Sequence, residues 1–147
     1  MRRARKGGSE AIGHSRGGPT TKIHAVVDAL GNPVRLSLTE GQVHDITQAA
    51  ELHGFVHHAN VLADKGYDSD ALIAVLEARA CIPIIAPRDC RAGRRRRYDQ
   101  HIYKDRFLVE CFFQKIKRNR RLSMRFEKLS AHFLGMLTLA SALIWTL

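Results

Sequence analysis

The chain is poor in cysteine, proline and aromatic residues, and these shortages limit the classes of protein to which it can belong. Its 147 residues include 3 Cys, 4 Pro and 1 Trp. Cys81, Cys90 and Cys111 are odd in number and show no Cys-x-x-Cys spacing, which argues against a disulfide framework and against a zinc site. The strongly apolar stretch 133–147 has 15 residues, fewer than the roughly 18–20 that span a bilayer. We therefore expect a protein of a reducing cytosol without membrane contact, in which 133–147 is a buried core helix.

Positive charge is concentrated in one part of the chain. The formal net charge is +10, and residues 88–128 contain 15 of the 24 Lys and Arg but only 5 of the 14 Asp and Glu. This segment therefore carries the whole excess, and the remainder of the chain is neutral. A local excess of this kind suits a phosphate-rich partner better than a uniformly basic surface would. A solvated basic loop is the alternative interpretation.

The order of apolar and polar residues predicts one α/β domain after a flexible arm. Residues 1–20 are basic and rich in glycine, without an apolar period, which indicates an arm with no fixed structure. Residues 21–147 form the predicted domain, since the chain is 45% hydrophobic and of single-domain length. Its predicted elements are a hairpin of 22–28 and 34–39, a helix from Asp45 to about His57, a buried strand at 60–63, a helix through 72–79, and an edge strand at 81–87 that contains Pro83.

Three aspartates occupy positions where an acidic side chain has an ordinary structural role. Asp28 lies at the tip of the hairpin, where turn chemistry is expected. Asp45, with Gln48 three residues later, has the pattern of a helix N-cap. Asp64 follows the strand at 60–63 and precedes a Gly turn, which is where α/β folds place active-site groups. From the residues alone, Asp64 is a catalytic candidate or a simple turn residue.

Residues 103–117 are predicted to form one helix with two different faces. Val109, Phe113 and Ile116 recur at helical spacing and predict a stripe that packs on the core. The polar positions follow a second edge of the same helix, about a third of a turn away. An amphipathic surface helix without a site would explain this pattern as well. The polar positions on that edge are Tyr103, Arg106, Glu110 and Lys117.

The spacing of these four residues, Tyr-x2-Arg-x3-Glu-x6-Lys, resembles the signature of insertion-sequence DDE transposases, the group typified by insertion sequences four and five. The stretch Ala-Asp-Lys-Gly-Tyr-Asp-Ser at 63–69 is similar to the second-carboxylate motif of that family, and the resemblance extends from about Gly17 to the C-terminus. It implies an RNase H-like mixed sheet with flanking helices. It also implies that Asp64 and Glu110 are the second and third of three carboxylates that hold Mg²⁺ or Mn²⁺.

The resemblance further implies that the chain binds DNA and takes part in DNA transposition, in the bacterial cytoplasm and near the nucleoid. The phenol and the cations of the motif are expected at phosphates near the scissile bond, and the other basic residues are expected to hold the DNA backbone without reading its sequence. The residues expected to bind DNA are Tyr103, Arg106, Lys117, Arg94, Arg95, Arg96, Arg97, Lys115 and Arg118.

The first carboxylate of the family has no counterpart in this sequence. In the family it lies on a strand that precedes the hairpin, and the only acidic residue in 1–20 is Glu10, in the Gly-rich arm. We therefore expect the C-terminal portion of a transposase, without its first strand and inactive alone. Its expected partner is an N-terminal transposase fragment or the full-length transposase. A second reading frame and a decayed remnant are both open, and the alternative function is a non-catalytic DNA-binding truncated transposase that acts as an inhibitor.

Overall fold

The computed structural model describes residues 10–15, 18–88 and 97–146, without the side chains of Ser15, Ala50 and His53. The described part of the chain is a mixed α/β structure, as the sequence predicted. Its strands form an antiparallel sheet of order β1-β2-β3 and a separate parallel pair, β4-β5. The strands are β1 Gly13–Ser15, β2 Gly18–Val27, β3 Pro33–Glu40, β4 Asn60–Ala63 and β5 Ile82–Ile85.

Helices cover both sheets and connect their strands. Three short 3₁₀ turns each precede an α-helix in the chain. They are Asp45–Gln48, Lys65–Tyr67 and Lys104–Arg106. The α-helices of the described residues are α1 Ala49–His53, α2 Asp70–Ala78, α3 Gln100–Tyr103, α4 Phe107–Lys117, α5 Arg120–Ser123 and α6 Ser130–Trp145.

Strands β2 and β3 form the predicted hairpin and pair along Thr21–Val27. At its tip, the Asp28 carboxylate accepts hydrogen bonds from the backbone N–H groups of Leu30 at 2.8 Å and Asn32 at 2.9 Å. Burial raises the pKa of Asp28, but these hydrogen bonds outweigh it and hold the pKa below its ordinary value. Gly31 supplies the left-handed backbone of the turn, with φ +82°. The predicted turn role of Asp28 is confirmed.

The expectation that residues 1–20 form an arm without fixed structure is wrong for its C-terminal part. Gly13–Ser15 pairs antiparallel with Gly18–Thr20, and the Arg125 guanidinium donates to the backbone carbonyl oxygens of Glu10 and Ala11. Arg125 lies 114 positions from Ala11, so glycine content and local periodicity could not predict this contact. Residues 1–9 lie outside the described part of the chain.

Strands β4 and β5 with helix α2 form a β-α-β unit, as the run of strand, helix and strand predicted. The two strands pair in parallel from Asn60 opposite Ile82, and Leu76 of the helix is fully buried against them. Within the described residues β5 pairs with β4 alone, which gives Pro83 the edge position that its missing N–H requires.

The prediction of one helix over 103–117 needs a correction at its start. Residues Lys104–Arg106 form a 3₁₀ turn between α3 and α4. Side-chain periodicity does not distinguish 3₁₀ from α geometry over three residues, so the sequence pattern could not show this. The predicted core stripe is confirmed in part, since Ile116 is buried and Phe113 packs half-buried beside the buried Phe112, whereas Val109 is only half-buried.

Helix α6 is buried on one face only, which corrects the expectation of a wholly buried core helix. Phe133 and Leu137 are buried. Leu139, Leu143 and Trp145 on the same helix are more than half exposed, because nothing in the described residues packs on that side. Among the described residues, no helix is both long and apolar enough to cross a membrane.

The hydrophobic core consists of two clusters rather than one. The first joins α1, α2, β4 and β5 around Leu76, and the second joins β2, β3, α4 and α6 around Phe112. A cavity of about 940 Å³ has walls from both clusters, and every residue of Lys22–Val27 and of β4 lines it. The two sheets therefore face each other across open space.

Candidate active site

Asp64 stands at the carboxyl end of β4, where the sequence predicted it. It is exposed and lines the cavity. Its carboxylate accepts a hydrogen bond of 2.8 Å from the N–H of Gly66, which fixes the tight turn that follows the strand. A Cβ at position 66 would lie 2.8 Å from the same carboxylate oxygen, closer than side chains pack. A side chain at position 66 would therefore displace the Asp64 carboxylate from this hydrogen bond.

Arg88 stabilises the turn that follows Asp64, a role that no sequence pattern predicted. Its guanidinium donates to the carbonyl oxygens of Lys65 at 3.0 Å and Gly66 at 2.6 Å. Its own backbone N–H donates to the buried Asp68 carboxylate at 2.8 Å. The only signal available was a basic residue directly after a strand, which is too common to be specific.

A second carboxylate, Asp45, lines the same cavity as Asp64, whereas the sequence pattern predicted that it caps a helix. It makes no cap hydrogen bond, since the 3₁₀ turn begins at Asp45 itself. Instead it accepts a hydrogen bond of 3.0 Å from the ammonium group of Lys22, which also donates to the Val43 carbonyl at 2.7 Å. The N-cap prediction is wrong because a lysine 23 positions away captures the carboxylate. The predicted helix to about residue 57 ends at His53.

Tyr67 lines the cavity together with Asp45 and Asp64. Burial, and to a lesser degree the negative charges of Asp45 and Asp64, raise the pKa of Tyr67 to about 12. Two acidic groups and a neutral phenol therefore line one cavity.

The four residues of the Tyr-x2-Arg-x3-Glu-x6-Lys pattern lie along one helical path. The Arg106 guanidinium donates to the Glu110 carboxylate at 2.7 Å and lies 5.9 Å from the centre of the Tyr103 ring. The Tyr103 ring in turn meets the Tyr98 ring edge-on at 5.2 Å. Lys117 is exposed and directly follows the buried Ile116. Arg106 is thus the link between the phenol and the acid.

The structure brings Arg106 to the same cavity as Asp64, although 42 positions separate them in the chain. Glu110 does not line the cavity but is held by Arg106, which does. Both carboxylates offer the hard oxygen donors that Mg²⁺ and Mn²⁺ prefer. Within residues 10–15, 18–88 and 97–146, however, no group of three or more His, Cys, Asp or Glu is placed to hold a metal ion.

The basic residues predicted to bind DNA are only partly described. Arg94, Arg95 and Arg96 lie outside the described residues. Arg97 is exposed just before α3, and two further cations are exposed near the end of α4. Those two cations are Lys115 and Arg118.

Comparison with known proteins gives one family. The sequence model of the family described as Transposase DDE domain matches residues 1–145. A Brucella ovis protein named "Putative transposase for insertion sequence element IS6501" is 42% identical over 131 residues, which cover 86% of this chain and 98% of that protein. A Burkholderia cepacia protein named "Putative transposase for insertion sequence element IS402" is 33% identical over 125 residues, which cover 77% of this chain and 56% of that protein. The chain thus spans about half the length of the second relative. No solved structure matches it significantly.

Proposed function

Because this chain belongs to the DDE transposase family, we propose that it supplies two carboxylates, Asp64 and Glu110, to a metal-dependent site for DNA transposition. The domain that carries them, residues 21–147, is proposed to be a partial RNase H-like fold. One observation carries the proposal. Arg106 lines the cavity that Asp64 also lines and holds Glu110 at 2.7 Å, so both sequence motifs contribute a residue to the walls of one cavity.

The roles of these residues follow from their chemistry. Mg²⁺ or Mn²⁺, bound by the carboxylates, would stabilise the attacking and leaving oxygens of a phosphodiester. Arg106 neutralises Glu110 in the free protein and is positioned to exchange that partner for a DNA phosphate, because both acceptors suit a guanidinium. Tyr103 stacks beside Arg106 and orients it. Lys117 lies farther along the same helix and extends the cationic edge.

The basic segment, residues 88–128, is proposed to contact DNA phosphates outside the carboxylate site. The +10 charge of residues 88–128 would attract the DNA backbone irrespective of sequence and release counterions on binding. Cations that precede and follow Glu110 in the sequence are proposed for this role. These are Arg94, Arg95, Arg96, Arg97, Lys115 and Arg118.

The site needs a further ligand from another polypeptide. Two carboxylates are fewer than the three that the family uses, and no cluster of three metal-binding side chains occurs among the described residues. We propose that an N-terminal transposase fragment or a full-length transposase supplies the first carboxylate together with the strand that bears it. The isolated chain is accordingly expected to be inactive in strand transfer.

The test is Mg²⁺-dependent strand transfer on a terminal-repeat DNA, with the chain alone and with an N-terminal fragment of the longer relative. Asp64→Asn and Glu110→Gln should each abolish activity in the complemented reaction, because each removes a metal-binding charge. Glu77→Gln, which neutralises an exposed acid on α2, is the matched control and should retain activity. Strand transfer by the wild-type chain alone would refute the need for a second polypeptide, and strand transfer by either site variant in the complemented reaction would refute the assignment of Asp64 and Glu110.

A second function is favoured by the excess of positive charge and by the incomplete carboxylate set. In this alternative the chain is a non-catalytic DNA-binding protein that competes with active transposase for its DNA. Asp64→Ala and Glu110→Ala would then leave DNA affinity equal or slightly higher, because they remove negative charge near phosphates. Inhibition of full-length transposase by both variants, with no activity in any complemented reaction, would support it over the enzymatic role.

The basic segment is tested separately by DNA binding. Replacing Arg94, Arg95, Arg96 and Arg97 by Gln should weaken binding to all DNA sequences about equally and lower the slope of log K against log salt by up to about 3–4, which is nearly one unit for each lost phosphate contact. Arg35→Gln on β3 removes one exposed charge outside the segment and is the control. A loss confined to one DNA sequence would contradict backbone binding.

A further inference from the structure

Phe126 is an exposed aromatic side chain between two residues that are held in place. Its ring is 64% exposed. On one side, the Arg125 guanidinium donates to backbone carbonyl oxygens near the start of the described chain. On the other side, the Glu127 side chain is only 8% exposed and accepts a hydrogen bond of 2.5 Å from Arg121. The backbone at Phe126 is therefore fixed from both sides, and the ring stays in solvent although burial would stabilise it.

Positive charge surrounds this ring. Phe126 lines a shallow surface pocket together with Arg120 and Arg121. Residues 111–128 contain 7 Lys and Arg but a single acid, Glu127. That acid is already paired with Arg121, and a guanidinium has five N–H donors, so Arg121 keeps donors for a further acceptor. The surface around the ring therefore suits a partner that carries negative charge.

The ring and the cations together select one class of partner. An unpaired nucleic acid strand offers phosphates and the flat faces of its bases, and aromatic rings in positively charged grooves are how many proteins bind such strands. Duplex DNA offers the same phosphates, but its bases are stacked on one another and reaching them costs unstacking energy. A second copy of this chain would bring like charges to the same place, which opposes self-association through the ring.

We propose that Phe126 is a stacking platform for one unpaired base of single-stranded DNA, with Arg120 and Arg121 at the phosphates beside that base. Met124, which is 60% exposed, widens the apolar surface. The choice of DNA among nucleic acids rests on the proposed function. The platform adds to backbone binding a preference for unpaired over paired DNA. Every base has a flat face, so this preference does not depend on sequence.

The experiment compares three DNA molecules of equal length and label, without metal. They are a single strand of about 12 nucleotides, within the range that one single-strand binding domain covers, the same strand built entirely from abasic nucleotides, and a blunt duplex. Fluorescence anisotropy with the whole chain measures the affinity for each. The base-bearing strand should bind about tenfold more tightly than the abasic strand, because one base stacked on an aromatic ring raises affinity by about 5- to 150-fold.

Substitutions at Phe126 form a double-mutant cycle with removal of the bases. Phe126→Ala should weaken binding of the base-bearing strand about tenfold and leave the abasic strand and the duplex unchanged. Phe126→Tyr should retain the preference because it keeps the ring, whereas Phe126→Leu, which is apolar without a flat face, should lose it. Phe55→Ala is the matched control, since Phe55 is a 42% exposed ring outside the basic segment, and it should change none of the three affinities.

The salt dependence separates stacking from charge. Phe126→Ala should leave the slope of log K against log salt unchanged. Arg120→Gln should weaken the base-bearing and abasic strands equally and lower the slope by about 0.7, as expected for one phosphate contact on a single strand.

The proposal is overturned if Phe126→Ala binds all three DNA molecules as the wild-type chain does, if it weakens the two strands equally, or if Phe126→Leu keeps the preference. Tighter binding of single-stranded RNA through the same ring would overturn the choice of DNA. Dissociation of an oligomer of the free chain by Phe126→Ala would mean that the ring lies between copies, and a large loss of stability in urea would mean that it is packed. Either result would overturn the platform.

None of these measurements requires transposition chemistry. A base preference that depends on Phe126, together with failure of every complemented strand-transfer reaction, would refute the proposed enzymatic function and support the platform. Strand transfer in the complemented reaction by a chain that binds base-bearing and abasic strands equally would overturn the platform and leave the enzymatic function intact.

Discussion

Replacing Arg125 by alanine should release the N-terminal strand from the rest of the domain. Arg125 precedes α6 in a left-handed conformation, φ +40°, and its guanidinium lies 5.0 Å from the centre of the Phe133 ring. Burial lowers the pKa of Arg125 from its ordinary value, which indicates that the cation has given up part of its hydration. Its hydrogen-bond acceptors are the carbonyl oxygens of Glu10, Ala11, Glu127 and Lys128 and the Thr21 hydroxyl.

The expected loss follows from these contacts. A hydrogen bond that involves a charged group contributes about 1.5–3 kcal/mol to the stability of the folded protein. Arg125 is only half-buried, and water can replace it at the carbonyl groups once it is removed, so the loss is smaller than the sum over its hydrogen bonds. A net loss of about 3 kcal/mol is therefore expected for Arg125→Ala. Arg125→Lys keeps the charge and loses the fork of donors, so about 2 kcal/mol is expected. Arg125→Gly should be less harmful than Arg125→Ala by about 1 kcal/mol, because glycine tolerates the left-handed backbone.

Urea unfolding followed by Trp145 fluorescence gives these free energies. The indole N–H donates to the Pro33 carbonyl at 2.8 Å, so the signal reports separation of α6 from β3. Hydrogen exchange of Gly13–Ser15 provides a local measurement, and these amides should lose protection in Arg125→Ala before the remainder of the chain unfolds. A loss below about 1 kcal/mol, or full retention of stability by Arg125→Lys, would refute the anchoring role that the hydrogen bonds imply.

Three further substitutions test other parts of the described structure. Burial holds the pKa of His24 below 6.5, so the unfolded chain binds a proton more readily than the folded chain does. The free energy of unfolding should therefore fall as the pH drops below 6.5. It should fall less in His24→Gln, which cannot take up this proton. Asp45→Asn should lower the pKa of Tyr67 from about 12 in a spectrophotometric titration, and an unchanged value would place Asp45 elsewhere. Phe112→Ala empties a site that is 1% exposed and should cost about 3–5 kcal/mol in urea unfolding, whereas a cost below about 1 kcal/mol would mean that the site is not packed.

Local patterns in the sequence predicted local features of the fold. The alternation around Asp28 predicted the hairpin and its turn, because the turn is closed by bonds within four residues. The run before Asp64 predicted a strand and placed the carboxylate at its end. Both features are determined by side chains near one another in the chain, which is why composition and spacing sufficed.

Features that depend on distant partners could not be predicted in this way. The role of Asp45 is set by Lys22, and the order of residues 10–15 is set by Arg125. The meeting of Arg106 with the Asp64 end of the cavity required the packing of α4 against β2, which no local period encodes. Family resemblance supplied that expectation for Asp64 and Glu110, and their catalytic roles stay a prediction.

The division of the hydrophobic core into two clusters affects how the protein unfolds. Each half has its own interior residues, around Leu76 and around Phe112, so heat or urea can melt one while the other persists. We therefore expect two unfolding transitions, of which Trp145 fluorescence follows the one that includes Phe112 and α6. A destabilising substitution should make only its own half vulnerable to proteases, and lone copies of the chain should be short-lived in a cell that degrades half-melted proteins.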